Sequence, residues 1–177
     1  MTGVGFPRKV ARMRVDQKEG MPRVLEILIA GSPSAGMEAR QAVTAVPGRG
    51  LEEDRYFFGI GTFSPHPQKP AYELTLIQQE HIEEFRKATG LPFTARQARR
   101  NIVTAGVDLN SMVGRDFSVG EVLLRGIKLC EPCEHLAKTS FPQVMRDLVN
   151  KGGLRAQILR GGKIHVGDSV VERSQID

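Results

Sequence analysis

Val122-Leu123-Leu124-Arg125-Gly126-Ile127-Lys128-Leu129-Cys130-Glu131-Pro132-Cys133-Glu134-His135-Leu136 is the stretch on which the reading of this chain turns. Its first half, Val122 to Ile127, is an apolar run of strand length, and its second half holds both cysteines of the protein and one of its four histidines. A strand delivers its last residues to a sheet end, where a loop presents side chains to a ligand. A thiolate is a soft ligand and a strong nucleophile, so two thiols in four residues are the first candidates for chemistry. Three readings of the pair stay open on the residues alone: a soft-metal or sulfur site, a dithiol redox site, and two inert buried thiols.

Outward from this stretch the pattern is of short strands. Arg23 to Ile29 reads as a largely buried strand closed by Gly31-Ser32-Pro33-Ser34, and Gln41 to Val46 as a second, ended by Pro47-Gly48. Ala71 to Ile77 alternates like a third, and further short runs follow at Asn101–Thr104 and around Phe117 and Val119. Gln79 to Thr89 switches to helical period, with Ile82 and Phe85 on one side and Gly90 as the stop. Ser140-Phe141-Pro142-Gln143 predicts the capped start of a helix running to Gly152-Gly153. Gly161-Gly162 between Arg155–Leu159 and Lys163–Val166 predicts a hairpin, with His165 facing solvent or a cross-strand partner. The sum is a mainly β domain without βαβ rhythm, curled or closed into a barrel-like body with a few short helices. We place it at residues 22–174, with a basic tail at 1–21 and a short tail at 175–177.

Composition narrows the function. The chain has 177 residues, 40% hydrophobic and 25% charged, ordinary for one globular domain. Two neighbouring cysteines make no disulfide framework, which points to a reducing, cytoplasmic setting. No apolar run approaches a membrane span or a secretion signal. Of the net charge of +5, residues 1–20 hold +3 through Arg8, Lys9, Arg12, Arg14 and Lys18 against Asp16 and Glu19. The excess thus sits in the tail, for which Met21 offers an alternative start, and no nucleic-acid partner is expected.

The charged loop Gly48-Arg49-Gly50-Leu51-Glu52-Glu53-Asp54-Arg55 reads equally as a solvated loop of local ion pairs and as an anion-recognising loop with Arg49 or Arg55 as donor. Arg96, Arg99 and Arg100 are either exposed edge charges or a fork for phosphate. Phe57 to Pro70, with His66 inside it, is too long for a tight turn and reads as a flap. His81 stands at the edge of the helix over 79–89, where a structural role outweighs ligation.

Read in order, Gly48-Arg49-Gly50-Leu51-Glu52-x-Asp54-Arg55, Leu74-Thr75-Leu76-Ile77-x-x-Glu80, Arg99-Arg100-Asn101-Ile102-Val103-Thr104, Gly106-Val107-Asp108-Leu109, Val113-Gly114-x-x-Phe117-x-Val119-Gly120, Cys130-Glu131-Pro132-Cys133, Gly153-Leu154-Arg155-Ala156 and Gly167-Asp168 resemble the MOSC domain. That family is named for the C-terminal part of molybdenum-cofactor sulfurases, and the resemblance spans roughly Val24 to Val171. It implies a barrel-like β fold and either a molybdenum-cofactor (molybdopterin) ligand or a sulfur-carrier role by way of a persulfide. It implies Cys133 as the catalytic residue and molybdenum ligand, and Arg49, Arg55, Arg99, Arg100, Asn101, Cys130 and His135 as residues facing the cofactor. Lys128 and His135 flank the thiols as cations that favour a negative sulfur. Reduction of N-hydroxylated compounds would then need an external electron donor, and sulfur transfer a donor or acceptor protein. Pyridoxal phosphate chemistry is not implied. The family loop usually has Gly where this chain has Glu53, so a positive φ there would be strained. The competing reading is a thiol–disulfide oxidoreductase using Cys130 and Cys133, against which stands the missing βαβ frame of thioredoxin-like sites.

Overall fold

The computed structural model describes residues 20–64 and 69–173; His66, the C-terminal tail and residues 1–19 of the N-terminal one lie outside the described residues. Among the described residues eleven strands form two sheets. The larger has the order β11 (Val170–Glu172), β7 (Asp116–Val119), β8 (Val122–Leu129), β9 (Leu154–Arg160), β5 (Leu74–Gln78), β6 (Ile102–Ala105), β1 (Arg23–Ile29), β2 (Glu38–Arg40). The smaller has the order β10 (Gly162–His165), β3 (Ala42–Val46), β4 (Gly50–Leu51). Four short helices complete the body: α1 (Gln79–Thr89), α2 (Ala95–Ala98), α3 (Glu134–Thr139) and α4 (Val144–Asp147).

The layering explains why the central strands show weak alternation. Ile27, Leu76 and Ile102 face the small sheet and pack with Val43, Leu51 and Ile164. Their neighbours Leu28, Ile77 and Val103 face the helices and pack with Ile82, Phe85, Phe93, Leu136 and Leu148. A sheet buried on both faces needs apolar residues at successive positions. Beyond the sheet centre one face meets solvent, and there the alternation returns.

The mainly β class, the strand over 23–29 and the helix over 79–89 stand as expected, with Gly90 in the left-handed region at φ 71°. The barrel-like body is met in part, and four other expectations are corrected. Neither sheet closes into a barrel; the large one curls until β1 meets the approach to β11 in a single bridge, Arg23↔Ser169, and the ladder stops there. β5 and β6 are parallel and joined through α1 and α2, so one βαβ crossover exists. Gly161-Gly162 is not a hairpin: β9 pairs with β8 and β5, whereas β10 pairs with β3, so the glycines carry the chain from one sheet to the other. A Cβ on Gly161 would lie 2.6 Å from the Ala45 carbonyl oxygen, which is why the crossing needs glycine. Ser140 starts no helix: its hydroxyl donates to the Leu136 carbonyl at 2.7 Å and finishes α3, and the next helix spans only Val144–Asp147. Finally, Pro70–Tyr72 is a 3-10 turn that Pro imposes, so the strand begins at Leu74 and not at Ala71.

Candidate functional site

One hollow on the helix side of the large sheet gathers side chains from every part of the chain. Arg55 and Tyr56 come from the loop after β4, Thr75 from β5, Arg99 and Arg100 from the link between α2 and β6, Cys130, Glu131 and Cys133 from the end of β8, His135 from α3 and Arg155 from β9. The cavity measures about 50 Å3.

The loop at 52–56 is built around Asp54, which is 2% exposed. One carboxylate oxygen accepts the Ala30 N–H at 3.1 Å, Asn101 Nδ2 at 3.2 Å and Arg55 Nη1 at 3.2 Å; the other accepts the Tyr56 N–H at 3.0 Å. A buried carboxylate is tolerable only when so fully engaged. Arg55 is thereby neutralised and laid over the Tyr56 ring, 5.0 Å from its centre. Burial raises the Tyr56 pKa, so the phenol stays protonated at neutral pH.

Arg99 and Arg100 are placed by a turn that α2 sets up. Thr94 and Gln97 form a capping box on α2, and Arg99 ends the helix in the left-handed region at φ 55°. Its guanidinium donates to the carbonyls of Ala35 at 3.0 Å and Pro33 at 3.1 Å, and burial followed by the nearby Arg55 lowers its pKa. Arg100 is 8% exposed and donates to three main-chain carbonyls: Gly152 at 2.8 Å, Ala98 at 2.9 Å and Cys130 at 3.1 Å. It therefore pins the cysteine loop to the sheet. Arg155 stands over the Tyr72 ring at 4.8 Å. Among the described residues no carboxylate comes within ion-pair distance of Arg99, Arg100 or Arg155.

Both cysteines are free thiols. Cys130 is buried, its N–H donating to the Gly153 carbonyl at 2.7 Å. Cys133 is half-buried and is the N-cap residue of α3, where its carbonyl accepts the Ala137 N–H at 3.0 Å. His135 meets the Phe63 ring edge-on at 5.8 Å.

Of the residues expected at a site, Arg55, Arg99, Arg100, Cys130, Cys133 and His135 do line this hollow; Arg49 and Asn101 do not. Arg49 is exposed and stacks on Phe57 at 4.0 Å. Asn101 is a structural clip: its amide donates to the Leu28 carbonyl and to Asp54, and its oxygen accepts the Thr75 N–H and hydroxyl. Lys128 is exposed on β8 and lies outside the lining. Sequence reasoning gave no site role to Tyr56 and Arg155. A usable signal existed for Arg155: it alternates with the apolar Leu154, Ala156 and Ile158, which puts a charge on the other face of a strand that proves central. His81 lies on α1 away from the hollow, and His165 is exposed, 3.6 Å from Asp168. Among the described residues no cluster of three or more His, Cys, Asp or Glu is arranged to hold a metal ion, and no helix is long and apolar enough to cross a membrane.

Residues 64–171 match the model of the MOSC domain. The fold is similar to the YuaD protein from Bacillus subtilis at TM-score 0.73, with 18% identity over 88% of this chain and 98% of that one. It is also similar to YiiM from Geobacillus stearothermophilus, at 0.67 and 18% over 87% and 76% of the two chains. YiiM from Escherichia coli follows at 0.61 and 18% over 88% and 71%. No curated protein gives a significant match.

Proposed function

Because this chain belongs to the MOSC domain family, which is associated with molybdenum-cofactor sulfuration and binding, we propose that it is a molybdenum-cofactor-binding or sulfur-carrying domain whose reactive atom is Cys133 Sγ. The observation that carries this reading is a half-buried free thiol opening on a hollow lined by four arginines, three of them without a carboxylate partner among the described residues. Soft thiophilic metals and transferable sulfur select a thiolate, and neighbouring cations stabilise its negative charge.

The residues fit the reactive end of such a group. A lone thiolate suits a metal whose other ligands arrive with its own pterin, and the guanidinia suit a phosphate or dithiolene carrying negative charge. The volume of about 50 Å3 takes a metal with small ligands and not a whole pterin, whose body would lie outside it. Cys133 would ligate the metal, Arg99, Arg100 and Arg155 would balance anionic charge, and the Tyr56 phenol would donate a hydrogen bond. When bound, the metal supplies two-electron chemistry, and we assign N-hydroxylated compounds as the substrates in that case. Electrons would come from a separate donor protein. Cys130 is buried and Cys133 half-buried, so Cys133 is the sulfur that a ligand in the hollow meets first.

Purified protein incubated with the cofactor and desalted should retain molybdenum by elemental analysis, and Cys133→Ser should lose it. Equal retention by the serine variant overturns the reading.

A further inference from the structure

The charge around the hollow does not balance. Arg55 is matched by Asp54 at 3.2 Å, whereas Arg99, Arg100 and Arg155 have no carboxylate within reach among the described residues. Glu131, the one acid of the lining among the described residues, is exposed and accepts the Asn150 N–H at 3.0 Å. Arg100 is buried although only neutral carbonyls hold it, and its guanidinium has five N–H groups of which three are so engaged. Burying an unmatched cation is costly, and an anion in the hollow would remove that cost. A cavity of about 50 Å3 admits the equivalent of a few water molecules, which fits a small oxyanion.

We propose that the hollow binds a small oxyanion bearing a sulfane sulfur, thiosulfate being the simplest, and that Cys133 takes up its outer sulfur without any metal. The proposal rests on the reading of Cys133 as the reactive sulfur and names the donor that would charge it. The Cys133 thiolate attacks the outer sulfur of thiosulfate and forms a new S–S bond. The original S–S bond breaks, its electron pair leaving with sulfite. Cys133 becomes a persulfide anion, total charge is unchanged, and no external oxidant or reductant is consumed. Arg99, Arg100 and Arg155 hold the sulfonate end, and Arg99 and Arg100 receive the charge that grows on departing sulfite. The same persulfide passes its outer sulfur to a nucleophile such as cyanide, giving thiocyanate and the original thiolate.

The test uses full-length, metal-free, reduced protein with thiosulfate. Sulfite should be released, the protein should gain one sulfur atom at Cys133, and cyanide should remove it; Cys133→Ser should do none of this. Arg155 is the variant of choice because its single main-chain hydrogen bond, to the Ala71 carbonyl, is long at 3.5 Å. Arg155→Met should raise the KM for thiosulfate about tenfold with kcat nearly unchanged, as loss of a charged hydrogen bond dictates, and Arg155→Lys should restore most of it. Sulfate, alike in shape and charge but without a transferable sulfur, should compete. Absence of the adduct in the wild type, an unchanged KM in Arg155→Met, or indifference to sulfate each overturns the proposal. A protein that holds molybdenum on Cys133 yet gives no adduct refutes this inference alone, and one that forms the adduct but retains no molybdenum refutes cofactor binding alone.

Discussion

Glu53 holds φ 65° in the loop beside the hollow, a conformation in which its Cβ crowds the backbone. Its carboxylate lies 3.5 Å from Arg40 with both groups in solvent, an ion pair worth little. Glu53→Gly should therefore stabilise the protein by about 0.5–1 kcal/mol, the strain relieved less the extra chain entropy glycine loses on folding. A urea denaturation midpoint that falls contradicts this. Glu53 shows what single positions disclose: its departure from the family pattern marked a strained residue before any coordinates, since the loop needs a left-handed turn there. Arg49 shows the opposite. It stands in the same charged loop as Arg55, yet one faces Phe57 and solvent while the other is pinned by Asp54, and only the buried carboxylate decides which.

At the scale of elements, the segment from α2 to β6 carries two of the hollow's four arginines. Thr94 Oγ1 accepts the Gln97 N–H, and the Gln97 side chain accepts the Thr94 N–H at 3.0 Å. Thr94→Ala should cost about 1 kcal/mol by denaturation, as for other helix caps, and should weaken oxyanion binding because Arg99 follows at once. Unchanged binding would show that β6, not the helix, places Arg99. Gly152 is a second control point. A Cβ there would press on the Cys130 carbonyl oxygen, the acceptor of Arg100. Gly152→Ala should lower stability by about 1–3 kcal/mol in thermal melts and slow alkylation or sulfuration of Cys133 with it. A wild-type melt would mean that the cysteine loop yields freely. Local signals read these elements unevenly. α1 was legible because its stripe and its glycine stop agree, whereas the cap-like Ser140-Phe141-Pro142-Gln143 misled because the same residues finish one short helix just before another. Gly161-Gly162 looked like a hairpin because sequence adjacency says nothing about which sheet receives the next strand.

For the molecule as a whole, Glu73 couples the two sheets. It is 3% exposed, and one carboxylate oxygen accepts the Gly48 N–H at 3.2 Å and the Ile158 N–H at 2.9 Å, the first beside the small sheet and the second in the large one. Burial raises its pKa above the ordinary 4.5, and the two N–H donors offset only part of that rise. Between 4.5 and the raised value the folded protein keeps a proton that the unfolded chain has released. Stability from this group therefore falls as pH rises through that window and is level above it. Glu73→Gln, whose amide oxygen can accept both N–H groups, should remove this slope when denaturation is followed from pH 4.5 to neutrality; an unaltered slope assigns the dependence elsewhere. The class of the fold and the candidate thiols were readable along the chain, because period and residue type are local properties. The hollow was not, because it is made where distant segments converge.

That convergence hangs on β9. It lies between β8 and β5, and without it β1, β2, β5 and β6 share no ladder with β7 and β8. While the polypeptide is still emerging from the ribosome, the two parts of the large sheet have no shared neighbour until residues 154–160 have left the exit tunnel. The hollow, to which β5, β9 and the end of β8 all contribute, is completed only after that.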